Sequence, residues 1–260
     1  MATTLATPVP LGGDIIMLTQ SLQTVANLFL QQTCPLCDRA TPQPLCTNCW
    51  DHLQPGAATH PPQPTTDALP IVTWGTYEGA LKQAIAALKY HGHPQLARPL
   101  GQALGQHWQQ FPLKTARSPL VVPIPMHPEK QRQRGFNQAE LLAKAFCQQT
   151  GLPLVRQGLA RRKVPTPQFG LGLQARQQNL AGAFVVGPAL NQQRPTRPVL
   201  LLDDIYTTGT TVKVAAAELR RWGISVCGVV TLASAVLEKS RPTPPQGLVP
   251  HRAGSLASRG

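Results

Sequence analysis

Val199-Leu200-Leu201-Leu202-Asp203-Asp204-Ile205-Tyr206-Thr207-Thr208-Gly209-Thr210-Thr211 is the stretch that decides how the rest of the chain is read. Four aliphatic residues in succession after Pro198 are the pattern of a parallel strand buried on both faces. Asp203 and Asp204 stand at its carboxyl end. A short turn of Thr207, Thr208 and Gly209 follows, and then Val212, Ala215, Ala216, Leu219 and Trp222 recur along one helical face. Strand, acidic pair, hydroxyl-rich turn and helix together make a site for a phosphorylated sugar. The turn aims backbone N–H groups and the hydroxyls of Thr207, Thr208, Thr210 and Thr211 at a phosphate, and the helix start adds its positive dipole end. Carboxylates repel that phosphate, so Asp203 and Asp204 must face another part of the ligand. Vicinal ribose hydroxyls are donors suited to two fixed acceptors. The plainer alternative is an ordinary strand and a helix capped by Thr207 or Thr208. A cap needs one hydroxyl and has no use for two preceding acids.

The 260 residues suffice for one α/β domain and a small appendage. The formal charge is +13 although charged residues make up only 13% of the chain. The cationic excess suits an anionic ligand, a polyphosphate or a nucleic acid, but it equally describes a merely basic surface. No apolar run is long enough to span a bilayer. Residues 1–10 lack the basic start and apolar core of a secretory signal, so the expected location is the cytoplasm.

Taken in order, residues 1–32 read as an N-terminal tail followed by an amphipathic helix over 14–31, with Ile15, Leu18, Leu22, Val25, Ala26 and Phe29 on one side. In residues 33–53, Cys34 and Cys37, then Cys46 and Cys49, form two Cys-x-x-Cys knuckles. Each turns two sulfurs toward one point, and together they can give four thiolates to a tetrahedral Zn²⁺. Four protein ligands leave no open position, so the expected role is structural. The rivals are a redox dithiol and a vestigial site. Residues 54–70 read as a Pro/Thr-rich linker. The main domain is expected over 71–238, opening with a strand over 71–77 and helices over 79–90 and 95–110. The segment 119–125 reads as a strand ending in a proline-rigidified loop. A basic loop with Lys130, Arg132 and Arg134 follows it, and a helix opens near Gln138. A basic loop between a parallel strand and a helix start is a natural pyrophosphate cradle, or else a solvated surface loop. Residues 152–155 read as a short strand. The segment 164–178, rich in Pro, Gly and Gln, reads as a lid or as a surface insertion. Residues 179–186 are expected to return to the sheet, and 225–233 to form a buried strand. Residues 239–260 read as a disordered basic tail.

The run from Asp203 to Thr211 resembles the phosphoribosyl-pyrophosphate signature of type I phosphoribosyltransferases. With the cysteine knuckles, Leu88-Lys89-Tyr90, Val122-Pro123-Ile124-Pro125, Arg134-Gly135-Phe136-Asn137-Gln138 and Gly182-Ala183-Phe184 added, the chain is similar to the ComF family over most of its length. The resemblance implies a type I phosphoribosyltransferase fold, a parallel sheet flanked by helices with a mobile hood, preceded by a small zinc module of four cysteines. It implies phosphoribosyl pyrophosphate as substrate with Mg²⁺, and an association with natural competence, the uptake of single-stranded DNA. Carried over, Asp203 and Asp204 would hold the ribose hydroxyls, and Thr207, Thr208, Gly209, Thr210 and Thr211 the 5′-phosphate. Arg134, Arg162, Gln168 and Arg176 would serve the pyrophosphate and the lid. Gln177 and Gln178 stand where the family's lid often carries arginines.

The expected reaction is displacement at the anomeric carbon by an acceptor the sequence does not name. A second reading, of a different class, is a binding module that senses the ligand and docks on single-stranded DNA or a competence helicase.

Overall fold

The computed structural model of the chain describes residues 32–53, 69–162, 182–192 and 194–235. The expected helix over 14–31, the linker through residue 68, the 164–178 segment with Gln168 and Arg176, and the C-terminal tail lie outside the described residues. In chain order the described elements are α1 (Thr47–Leu53), β1 (Ile71–Thr76), α2 (Gly79–Tyr90), a 3-10 turn (Pro94–Leu96), α3 (Ala97–Gln110), β2 (Leu120–Pro123), α4 (Pro128–Arg134), α5 (Gln138–Thr150), β3 (Leu159–Arg161), β4 (Phe184–Val186), α6 (Pro188–Asn191), β5 (Val199–Tyr206), α7 (Thr210–Arg221) and β6 (Val226–Ser234).

The aliphatic run Val199, Leu200, Leu201 and Leu202 is fully buried, as a strand apolar on both faces requires. It lies inside a parallel sheet of order β1-β6-β5-β2. Side chains alternate across a strand, so β5 feeds two cores. Leu200 and Leu202 pack with α2, α3 and α5 on one face, through Leu88, Leu104 and Phe146. Val199 and Leu201 pack with α7 on the other, through Val212, Ala216 and Leu219. Helices α3 and α5 come close because α3 has no Cβ at Gly101; one there would lie 2.7 Å from Ala145 Cβ.

Three local expectations change. Residues 152–155 form no strand, and Leu154 makes a single parallel bridge to Val121. Residues 184–186 do not rejoin the central sheet. As β4 they pair antiparallel with β3, Arg161 opposite Phe184, in a separate hairpin over the second core. Apolar runs this short fit a hairpin as well as a sheet, and only their partner decides. The basic stretch after β2 is not all loop either. Pro128 at the first helical position and Glu129 N–H donating to His127 Nδ1 at 3.4 Å start α4, and Gly135 at φ 84° stops it.

The crossover after β5 leads through α7 to β6, while that after β2 leads through α5 the opposite way, to the Leu154 bridge. The carboxyl ends of β2 and β5 therefore flank the point where the chain diverges, where open α/β sheets form their crevice. Parallel sheet, helices on both faces, hood hairpin over the second core and an N-terminal four-cysteine module make this a type I phosphoribosyltransferase fold.

Candidate active site and metal centre

A cavity of about 370 Å³ opens at that divergence, lined among others by Asp203, Asp204 and Thr211 and by the cations Lys89, Lys130, Arg134 and Arg161. It adjoins a second of about 440 Å³ that shares Lys89, Tyr90, Lys130 and Arg134 with it.

Adjacent residues of one strand face opposite ways, so each acid meets the layer on its own side. Asp204 shares the face of Leu200 and Leu202 and points toward α2. Its Oδ2 lies 2.7 Å from Lys89 Nζ as an ion pair, with the two side chains 6% and 12% exposed, and accepts no hydrogen bond among the described residues. Asp203 shares the face of the hood hairpin. Its Oδ1 accepts the Asp204 N–H at 2.8 Å. Burial first, and the Asp204 charge second, hold its carboxyl well above the ordinary carboxylate range, against the pull of the Asp204 amide and of Lys89. Arg161 faces Asp203 from β3. Burial pushes its guanidinium down and Asp203 draws it back up, while the group lies 5.4 Å from the Phe184 ring centroid. Arg162, which the sequence reading assigned to the lid, is exposed and does not line the cavity; its N–H donates to Ala183 O at 2.9 Å.

The turn after β5 exposes Thr207 and Thr208 and buries Gly209, the residue before α7, at φ 72°. Neither threonine is the N-cap. Thr208 Oγ1 reaches Thr210 Oγ1 at 2.8 Å and accepts the Thr210 N–H at 3.4 Å. Lys213 N–H to Gly209 O, 2.9 Å, is the first turn-closing bond of α7. The amides of Thr211 and Val212 precede it and so have no partner within the helix. This helix start and the acidic pair open on one cavity, in which four cations outnumber two carboxylates. The arrangement suits an anionic ligand that also carries hydroxyls.

The basic segment is held firmly. Asn137 caps α5 by accepting the Ala139 N–H at 3.1 Å, and its Nδ2 donates to Ile124 O at 3.1 Å, tying the segment to the end of β2. Arg134 Nη1 donates to Gln138 Oε1 at 2.6 Å, and its guanidinium lies 5.1 Å from the centre of the Tyr90 ring. Lys89 and Arg161 are the lining cations to which the sequence alone assigns no role.

The four knuckle cysteines are free, and their Sγ atoms all lie within 4.8 Å of one another. Tetrahedral Zn²⁺ with Zn–S bonds of about 2.3 Å sets sulfurs about 3.8 Å apart, and Cys37 and Cys46 are 3.6 Å apart. At Cys34 burial raises the thiol pKa, but amides of Cys46 and Leu36 and the thiols of Cys37 and Cys49 outweigh it, bringing it from 9.0 to about 7. Burial, with the neighbouring thiols adding, pushes Cys49 up. One sulfur is thus ready to ionise, and the donor set fits a cation that would stabilise the rest as thiolates. These cysteines could hold a zinc ion. Among the described residues no helix is long and apolar enough to cross a membrane.

No family model matches the chain. Competence protein F of Haemophilus influenzae is 30% identical over 203 residues, 74% of this chain and 85% of that protein. DNA utilization protein YhgH of Escherichia coli K12 is 27% identical over 205 residues, 75% of this chain and 87% of that protein. Competence protein ComFC of Bacillus subtilis is 26% identical over 149 residues, 57% of each. Among solved structures, glutamine phosphoribosylpyrophosphate amidotransferase from B. subtilis aligns at TM-score 0.33 and 18% identity, over 52% of this chain and 25% of that one. Orotate phosphoribosyltransferase from Aeropyrum pernix aligns at 0.30 and 17%, over 61% and 70%. The sheet order and the switch-point cleft, not those superpositions, identify the fold. With a relative at 30% identity spanning most of both chains, the chain belongs to the ComF family of competence proteins.

Proposed function

We propose that the cleft binds phosphoribosyl pyrophosphate together with Mg²⁺ and that the protein transfers the phosphoribosyl group to an acceptor in the cytoplasm, in the service of DNA uptake or utilisation. One observation carries this reading: Asp203 and Asp204 line the same cavity as Thr211 at the start of α7, among Lys89, Lys130, Arg134 and Arg161. The 5′-phosphate belongs at the Thr207–Thr211 turn, where amides, hydroxyls and the helix dipole converge. The ribose hydroxyls belong at the acids. The pyrophosphate belongs with the cations of the α4 segment. Mg²⁺, when bound, neutralises pyrophosphate oxygens and so eases their departure. In the transfer the bond from the anomeric carbon to pyrophosphate breaks and a bond to the acceptor forms. Positive charge developing on the ring is stabilised by the acids. The names of the relatives in H. influenzae, E. coli and B. subtilis support the link to competence and DNA utilisation. The cysteine cluster is assigned a structural zinc.

The test is pyrophosphate release from phosphoribosyl pyrophosphate across a panel of bases, amines and ammonia. Release that depends on one acceptor and is lost in Asp203→Asn supports transfer. A second reading, a non-catalytic module that senses the ligand and engages single-stranded DNA or a helicase, is favoured by Tyr90. This ring is 70% exposed beside Arg134 and Lys130, a platform for stacking a base near phosphate-binding cations. Ligand binding without release, together with steeply salt-dependent binding of single strands, selects it.

A further inference from the structure

The ion pair between Lys89 and Asp204 is more than the cleft needs for stability. A buried pair gains little over apolar packing, because both charges lose water. This one also lies in the wall of the ligand cavity, not in the core behind it. Lys89 is the penultimate residue of α2 and lines both adjoining cavities, so its ammonium stands where the acid-bearing space meets the space of Lys130 and Arg134. Asp204 Oδ2 has that ammonium as its ion-pair partner and accepts no hydrogen bond among the described residues. A carboxylate meant to grip ribose hydroxyls is thus occupied by the cation best placed to grip pyrophosphate. The lysine stem is flexible and its ammonium is a compact charge that can re-aim.

We propose that Lys89 is an anion-binding residue of the cleft that Asp204 holds in reserve. In the free cleft each satisfies the other's charge. A pyrophosphate-bearing ligand draws the ammonium away and releases Asp204 to the sugar in the same step. A bare diphosphate must then break the pair without offering Asp204 anything in return, whereas the full ligand satisfies both. The proposal rests on the phosphoribosyl reading for the role of Asp204, but its test uses inorganic pyrophosphate without metal and stands apart from that reading.

Calorimetry compares the wild type with Asp204→Asn, Asp203→Asn and the double variant Lys89→Met/Asp204→Asn, each checked for a cooperative melt. Asp204→Asn leaves a buried ammonium unpaired, and its pyrophosphate affinity rises about tenfold. Asp203→Asn, whose carboxyl faces Arg161 and not Lys89, gives a smaller gain than Asp204→Asn. The double variant loses the gain. Three results overturn the proposal: equal effects of the two single variants, a gain that survives without Lys89, or no pyrophosphate binding in any variant. The predicted pattern in a protein that fails to bind phosphoribosyl pyrophosphate would keep Lys89 as an anion site and sink the phosphoribosyl reading instead.

Discussion

Asp203 and Asp204 are neighbours in sequence with opposite circumstances. Asp204 has a lysine against it; Asp203 is desolvated beside a like charge, and its carboxyl is held high. A carboxyl whose folded pKa exceeds its unfolded value of about 3.9 contributes stability below that value and loses it as pH rises through the folded pKa. Ionised Asp203 therefore costs stability near neutral pH. Thermal melts should show Asp203→Asn melting above the wild type near neutrality, with the advantage shrinking as pH falls toward about 4. An acid kept at such a cost is expected where binding, not folding, uses it. Gly209 carries a second prediction at this scale. Its φ of 72° disfavours a side chain, and a Cβ would come 2.6 Å from Tyr206 Cζ. Gly209→Ala should cost at least about 1–2 kcal/mol in denaturant unfolding, and it should weaken any ligand whose phosphate sits at the turn. The acids and the glycine were legible in the sequence because strand, turn and helix are contiguous there. Arg161 was not: which of Arg161 and Arg162 faces inward depends on the register of β3 against β4, across residues that carry no local periodicity.

At the scale of elements, the cysteine module is part of the main core. Cys34, Leu45, Cys49 and Leu53 are buried in the same cluster as Trp74 and Leu88, and Trp50 stacks on Trp74 with ring centres 6.3 Å apart. The module thus braces α2, whose last turn presents Lys89 and Tyr90 to the cleft. Chelation of a zinc ion bound as proposed by the knuckles, or Cys46→Ser, should lower the melting temperature by about 5–10 °C and shift the tryptophan emission as Trp50 and Trp74 separate. Unchanged emission and melting would show that the knuckles hold nothing. The knuckle pairing and the β5 and β6 strands were readable from spacing and apolar runs. Helix α4 was not, because a helix this short owes its existence to its caps, a histidine and a glycine, and not to a repeating pattern. The hood hairpin was missed for a related reason. Three-residue strands are defined by each other and not by their own composition.

At the scale of the molecule, a net charge of +13 on a chain with few charged residues is matched by a cleft in which cations exceed acids by two to one. Such a cleft selects for anions in general, and in the proposed function the acids supply the preference for one that carries a sugar. The most direct test titrates phosphoribosyl pyrophosphate and pyrophosphate, each with Mg²⁺, into the wild type and into Asp203→Asn/Asp204→Asn by calorimetry. The wild type should bind the sugar-bearing ligand at least about tenfold more tightly than pyrophosphate, and the variant should lose that preference. A wild type that does not bind phosphoribosyl pyrophosphate, or a preference that survives loss of both carboxylates, would contradict it.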